Sequence, residues 1–166
     1  MLCAPDSSSA VDGRASSCIG VYSDTFIGIK EATNHNDGPA VALCLASVGL
    51  PEGYNYCGAY VYHVMTTCGV NMPGPASRYA WVPSWFPLAR LVPIEDAAPD
   101  DVAGYYSRPL GRLAHIGVIR EVLVGYMIVN EGNTNNNGSR TGDGFYSRKR
   151  LKGQISKVAR WSSVKK

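Results

Sequence analysis

The sequence is short of the features that mark several common protein classes. No apolar run reaches the roughly 18 residues of a membrane-spanning helix, and the opening MLCAPDSSSA has neither a basic stretch nor the long apolar segment of an export signal. The chain therefore reads as having no membrane span and as made without a recognisable signal peptide, unless a leader precedes it. Five cysteines, Cys3, Cys18, Cys44, Cys57 and Cys68, include no Cys-x-x-Cys pair of the kind that holds zinc. An odd number cannot all pair internally, so at least one thiol is free unless chains are cross-linked. Charge of one sign is scarce as well. The net charge of +3 comes from scattered Lys and Arg with a cluster near the C-terminus, which leans toward an acidic or polyanionic partner but falls well short of a nucleic-acid binder. No internal repeat is visible, and the one low-complexity patch, EGNTNNNGSRTGDG, reads as a hairpin loop.

What is present suits one domain: 166 residues at 45% hydrophobic content can bury one substantial core. Residues 1–20 read as a loosely ordered N-terminal extension and residues 21–166 as a single domain. From Ser23 to Val70 apolar residues recur at helical intervals. SDTFIGIKEATN offers Ser23 or Asp24 as an N-cap, and NDGPAVALCLASVGL offers Asp37 as a cap with Pro39 in the first turn. A third helix begins near Tyr56 and ends at Gly69. From Asp101 the pattern changes to short β-rich runs, DVAGYY, AHIGVIREV, YMIVNE, GFYSRKR and QISKVARW, which read as an antiparallel sheet. The Pro- and aromatic-rich stretch between the halves predicts an ordered loop with a short helix near Ser77 to Val82. Helices followed by an antiparallel sheet indicate α+β.

Cys57 stands at the mouth of the third helix. A helix N-terminus favours the thiolate, the reactive form of cysteine, so this position is electrostatically prepared for attack. Cys44 and Cys68 read as small core residues. A nucleophilic cysteine needs a base. His63 is six residues on along the same helix and on the wrong face, and His35 lies in a turn and stays open. His115 opens the strand HIGVI, where alternation puts it on one face with Gly117 and Ile119. The next strand ends in VNEGNTN, whose Glu131 and Asn133, two apart and on the same face, are both candidates to orient the imidazole.

Taken in order, YNYCGAYVYHVMTTCGV, DDVAGYY, AHIGVIREV, MIVNEGNTN and GDGFYSRKR resemble the CHAP family of peptidoglycan amidases and endopeptidases, relatives of NlpC/P60 in the papain-like superfamily. The resemblance runs from about Phe26 to Trp161. It rests on Cys57 with Ala59, Tyr60 and Val61, on His115 to Val118, and on Glu131-Gly132-Asn133. It implies a papain-like α+β fold with N-terminal helices packed on an antiparallel sheet. It also implies a cysteine hydrolase that cleaves an amide of peptidoglycan through Cys57, His115 and Glu131 or Asn133, with Glu131 the favoured orienting group. Tyr54, Asn55, Tyr56, Trp81 and Trp85 are then candidates for substrate binding, with Tyr56 standing where the family often has Trp. The backbone N–H of Cys57 is the first oxyanion donor expected, and Tyr54 or Asn55 the second. Some relatives bind calcium in an Asp-rich loop, but Asp24 and Asp37 are isolated here, so no metal is expected, and the reaction needs no cofactor. The picture is a monomer acting on peptidoglycan in the periplasm or at the cell wall, phage-delivered or exported, with no room for a separate wall-binding domain. An antibacterial toxin of the same chemistry and an inactive wall-binding module are the rival readings. The tail SKVARWSSVKK reads as a last strand followed by a solvated end.

Overall fold

The computed structural model describes residues 17–135 and 142–162. Within them the chain is α+β: three helices and a six-stranded antiparallel sheet. The tip of the expected hairpin loop, residues 136–141, and the tail from 163 onward lie outside the described residues, as do residues 1–16.

The first helix, α1, spans Cys18–Asp24 and starts earlier than the expected cap at Ser23 or Asp24. Ser17 is the N-cap, its hydroxyl accepting from the Gly20 N–H at 3.1 Å. Ser23 instead donates its buried hydroxyl back to the Gly20 carbonyl at 2.8 Å, and Asp24 is held by Arg120, whose Nη2 lies 2.8 Å from Oδ2. Local side-chain bonds thus close this helix where the sequence pattern had one begin. The boundary at residue 20 moves with it, since residues 18–20 form the first turn of α1 and belong to the domain.

Helix α2 spans Pro39–Ser47 with Pro39 at its start, but Gly38 at φ 103° is the cap rather than Asp37. Asp37 closes the preceding turn instead, accepting from the Thr33 N–H at 2.8 Å. Helix α3 spans Cys57–Thr67 and buries Ala59, Tyr60, Val61, Val64 and Met65. Gly58 is required there, because a Cβ would sit 2.5 Å from the Tyr79 carbonyl oxygen.

Cys68, at the end of α3, is not a plain core residue: it is disulfide-bonded to Cys18, while the thiols of Cys44 and Cys57 are free. The bond ties α1 to the far end of the helix that carries Cys57. With the two cysteines 50 positions apart in sequence, cross-linking removes loop entropy from the unfolded chain worth roughly 2–4 kcal/mol. Urea unfolding of the Cys18→Ser/Cys68→Ser double variant should show a loss of that size. A loss under about 0.5 kcal/mol would show that the bond constrains nothing that α1 packing does not already fix.

The proline-rich stretch forms short 3₁₀ turns at Ala76–Ala80, Val82–Trp85, Leu88–Arg90 and Ile94–Asp96, plus the edge strand β1, Leu91–Val92. It is ordered by aromatic packing: Tyr79, Trp85 and Trp161 meet edge to face, and Trp161 Nε1 donates to the Trp85 carbonyl at 3.0 Å.

The remaining strands are β2 (Val102–Ser107), β3 (Arg112–Val122), β4 (Tyr126–Thr134), β5 (Gly144–Leu151) and β6 (Lys157–Ala159). Their spatial order is β1-β6-β2-β3-β4-β5. Alternation along β3 sends Ile116 and Val118 toward the helices, where α3 packs, and Ile119 into a smaller apolar cluster with Met127, Val129, Ile155 and Val158. The same alternation sets His115 and Gly117 on the face that meets Glu131. Among the described residues no helix is long and apolar enough to cross a membrane.

Candidate active site

Helix α3 packs on β3 so that its first residue, Cys57, meets the beginning of that strand. Cys57 is 5% exposed and lies beside the His115 ring, lining the same cleft and close enough to favour its charged form. On the other side of the ring, His115 Nε2 is 2.8 Å from Glu131 Oε2. Since Nε2 is engaged by the carboxylate, Nδ1 is the nitrogen left for the sulfur. Cysteine, histidine and glutamate, drawn from α3, β3 and β4, therefore stand in one line.

Glu131 is completely buried, and its charge is matched from two directions. Arg150, on β5, donates Nε to Oε1 at 2.7 Å and Nη2 to Oε2. Burial alone would push this carboxyl up, but the charge of His115 and the hydrogen bonds from Arg150 and His115 outweigh it and hold Glu131 below the usual carboxylate range. For His115, burial opposes the charged ring, yet the Glu131 carboxylate and the hydrogen bonds to Cys57 and Glu131 raise it well above the ordinary imidazole value. Tyr105 pairs across from His115 with ring centroids 5.6 Å apart, and the Arg150 guanidinium sits 4.9 Å above the Tyr105 ring. Gly117 makes room for the carboxylate: a Cβ there would approach Glu131 Cγ to 2.7 Å and Val129 Cγ1 to 2.6 Å.

Asn133 does not reach His115. The register of β4 against β5 shifts between Gly132 and Thr134, and Asn133 takes a left-handed φ of 56°. The bulge turns its side chain toward Asn55, where Nδ2 donates to Oδ1 at 3.0 Å. The two-residue spacing that would have put Glu131 and Asn133 on one face holds only in an unbroken strand. Asn133 lines the cleft, and Glu131 alone touches the imidazole.

Two clefts meet at Cys57. One, about 460 Å³, includes Asn55, Arg112, His115, Asn133 and Arg148 in its wall. The other, about 280 Å³, includes Leu50, Tyr54, Asn55, Trp81 and Arg112. Tyr54, Asn55 and Trp81 are thus exposed in the walls of the clefts beside the thiol. Tyr56 and Trp85 are not. Tyr56 is wholly buried against Phe145 and donates its hydroxyl to Glu31 Oε1 at 2.9 Å, while Trp85 is wholly buried and donates Nε1 to the Tyr79 carbonyl. Each polar atom is satisfied inside the protein, so both are core residues and the substrate assignment is withdrawn for them.

The other two histidines are occupied elsewhere. His63 pairs with the Tyr22 hydroxyl at 2.9 Å, and His35 Nδ1 lies 2.8 Å from the Thr33 carbonyl. The sequence reading missed Arg112, Arg150, Tyr105 and Gly117. Alternation in GFYSRKR puts Arg148 and Arg150 on one face of β5, which was a usable signal; nothing local says that Arg150 reaches diagonally to Glu131. Among the described residues no group of three or more His, Cys, Asp or Glu is placed to hold a metal ion.

No protein-family model, curated protein or solved structure matches the chain. What the site can do therefore follows from its own chemistry. A thiol at a helix N-terminus, touching an imidazole whose other nitrogen is held by a buried carboxylate, can pass its proton to the ring and become a nucleophile paired with an imidazolium.

Proposed function

We infer that this chain is a papain-like cysteine hydrolase of CHAP type that cleaves an amide bond in bacterial peptidoglycan. The observation that carries the reading is the Cys57–His115–Glu131 line, with Glu131 Oε2 at 2.8 Å from Nε2. The order and spacing of the sequence motifs around these three residues support it independently.

In the reaction His115 takes the Cys57 proton, and the thiolate adds to the amide carbonyl carbon. Negative charge forming on that oxygen is met by the backbone N–H of Cys57, free at the start of α3, and by the Asn55 amide, whose Oδ1 is already engaged by Asn133. The C–N bond breaks as the His115 imidazolium gives its proton to the leaving nitrogen, leaving a thioester on Cys57. Water, deprotonated by His115, then releases the acid and restores the thiol. Glu131 stays ionised throughout and fixes the ring. Arg150 in turn fixes Glu131, so both oxygens of the carboxylate are committed.

The disulfide favours an oxidising compartment, in keeping with action outside the cytosol, in the periplasm or at the cell wall. Incubation with purified sacculi should release soluble fragments. Mass spectrometry should show one new amine and one new carboxyl terminus at a single type of amide, either the muramoyl–alanine link or a bond within the stem peptide. Intact sacculi after prolonged incubation at micromolar protein, together with hydrolysis of an unrelated denatured protein, would replace this reading with a general cysteine peptidase. Intact substrate of both kinds, with retention of the protein on the sacculi, would leave a wall-binding module.

A further inference from the structure

We propose that the groove at Cys57 recognises a free carboxylate on the substrate close to the scissile amide, and that Arg112 receives it. The proposal rests on the peptidoglycan-hydrolase reading and names the substrate class within it.

Arg112 is the first residue of β3 and lines both clefts that meet at Cys57. Its guanidinium is stacked 4.1 Å over the Trp81 ring, and Nη1 donates to the carbonyl of its neighbour Leu113 at 3.0 Å. This cation–π contact restrains the guanidinium without satisfying its other N–H groups. Among the described residues Arg112 has no carboxylate partner, whereas Arg120, Arg150 and Arg160 pair with Asp24, Glu131 and Asp101. Neither cleft has an Asp or Glu in its wall. Arg150 is neutralised by Glu131 beneath the site, and Arg112 is the arginine that lines both clefts where they meet.

A half-buried guanidinium, seated over an indole, with no acid opposite it, is a receptor for a planar anion with two acceptor oxygens. Substrates of a wall hydrolase offer such a group. The α-carboxylate of a γ-linked glutamate in the stem peptide lies next to amide bonds, and some walls carry it as the carboxamide. The carboxamide keeps size and shape but has one acceptor and no charge, so Arg112 should tell the two apart.

The test uses full-length Cys57→Ala protein and two soluble disaccharide-tetrapeptide fragments that differ only in that carboxylate or carboxamide. Calorimetry should give a dissociation constant at least ~10-fold lower for the free acid, the size of one charge-assisted bidentate contact. Adding Arg112→Gln should bring both ligands to the carboxamide affinity, and Arg112→Lys, which keeps charge but not the fork, should recover part of the difference. Equal affinity for the two fragments, no binding of either at millimolar concentration, or a preference that survives Arg112→Gln overturns the proposal. Cleavage by the wild-type protein is scored separately. Fragments bound with the expected preference but never cut would leave the carboxylate recognition standing and remove the hydrolase reading.

Discussion

Cys57→Ala protein is expected to lose sacculus hydrolysis by at least ~10⁴-fold while melting within a few degrees of wild type. The size of the loss follows from the role of the sulfur. Without it no thioester forms, and what remains is substrate binding and the oxyanion donors, which by themselves leave only slow hydrolysis by water. The small stability cost follows from position. Cys57 is the first residue of α3, its backbone hydrogen bonds are unchanged by truncation, and the thiol faces the clefts rather than filling the centre of the core. Cys57→Ser sharpens the result, because it preserves volume and a hydrogen-bonding group toward His115 yet puts an alkoxide precursor where a thiolate is needed.

The control is Cys44→Ala. Cys44 is the other free thiol of the described residues, is fully buried in α2, and is pushed up to about 12 by burial. It should lose stability through the cavity it leaves, with kcat preserved in the folded fraction. The opposite pattern, an active Cys57→Ala and an inactive but folded Cys44→Ala, would remove the nucleophile assigned here.

The parts of this site that were legible in the sequence are those fixed by local rules. Alternation in AHIGVIREV put His115 on the correct face of β3, and the change from polar turn to helix at Tyr56 placed Cys57 in a first turn. What failed depended on contacts between distant segments. Cys68 reads as an ordinary apolar-flanked cysteine, and only the packing of α1 against α3 brings Cys18 to it. Tyr56 and Trp85 look like groove aromatics until Glu31 and the Tyr79 carbonyl supply their partners from inside. The cap at Ser23 failed for a subtler reason. Serine bonds its own helix as readily as it caps the next one, and composition does not separate the two. Asn133 shows the limit of the period-two rule, since one bulge after Gly132 redirects a side chain that spacing had assigned to the imidazole.

Replacing Glu131 by Gln is expected to lower kcat/KM about 10³-fold, or about 4 kcal/mol, and to move the basic limb of the rate profile to lower pH. The carboxylate acts on His115 in two ways. It holds the ring through Nε2, which leaves Nδ1 for Cys57, and its charge stabilises the imidazolium of the thiolate–imidazolium pair. Glutamine keeps an oxygen to accept the Nε2 proton but has no charge. The direction of the shift follows from this. Glu131 raises His115 above the ordinary imidazole value, and the active pair is lost when rising pH strips the imidazolium proton. Removing the charge therefore brings that loss to lower pH. A purely structural role for Glu131 would lower activity in proportion to the folded fraction and leave the limb where it was. That separation matters because Arg150 loses its carboxylate partner in the same variant, so activities must be compared per folded molecule. Asn133→Ala should cost far less, since its amide contacts Asn55 and not the imidazole, and its effect should appear in the rate without a displaced limb. If instead Glu131→Gln were near wild type and Asn133→Ala inactive with a shifted profile, the β4 bulge would have to rearrange in the substrate complex to bring Asn133 to the ring, making the working site Cys-His-Asn.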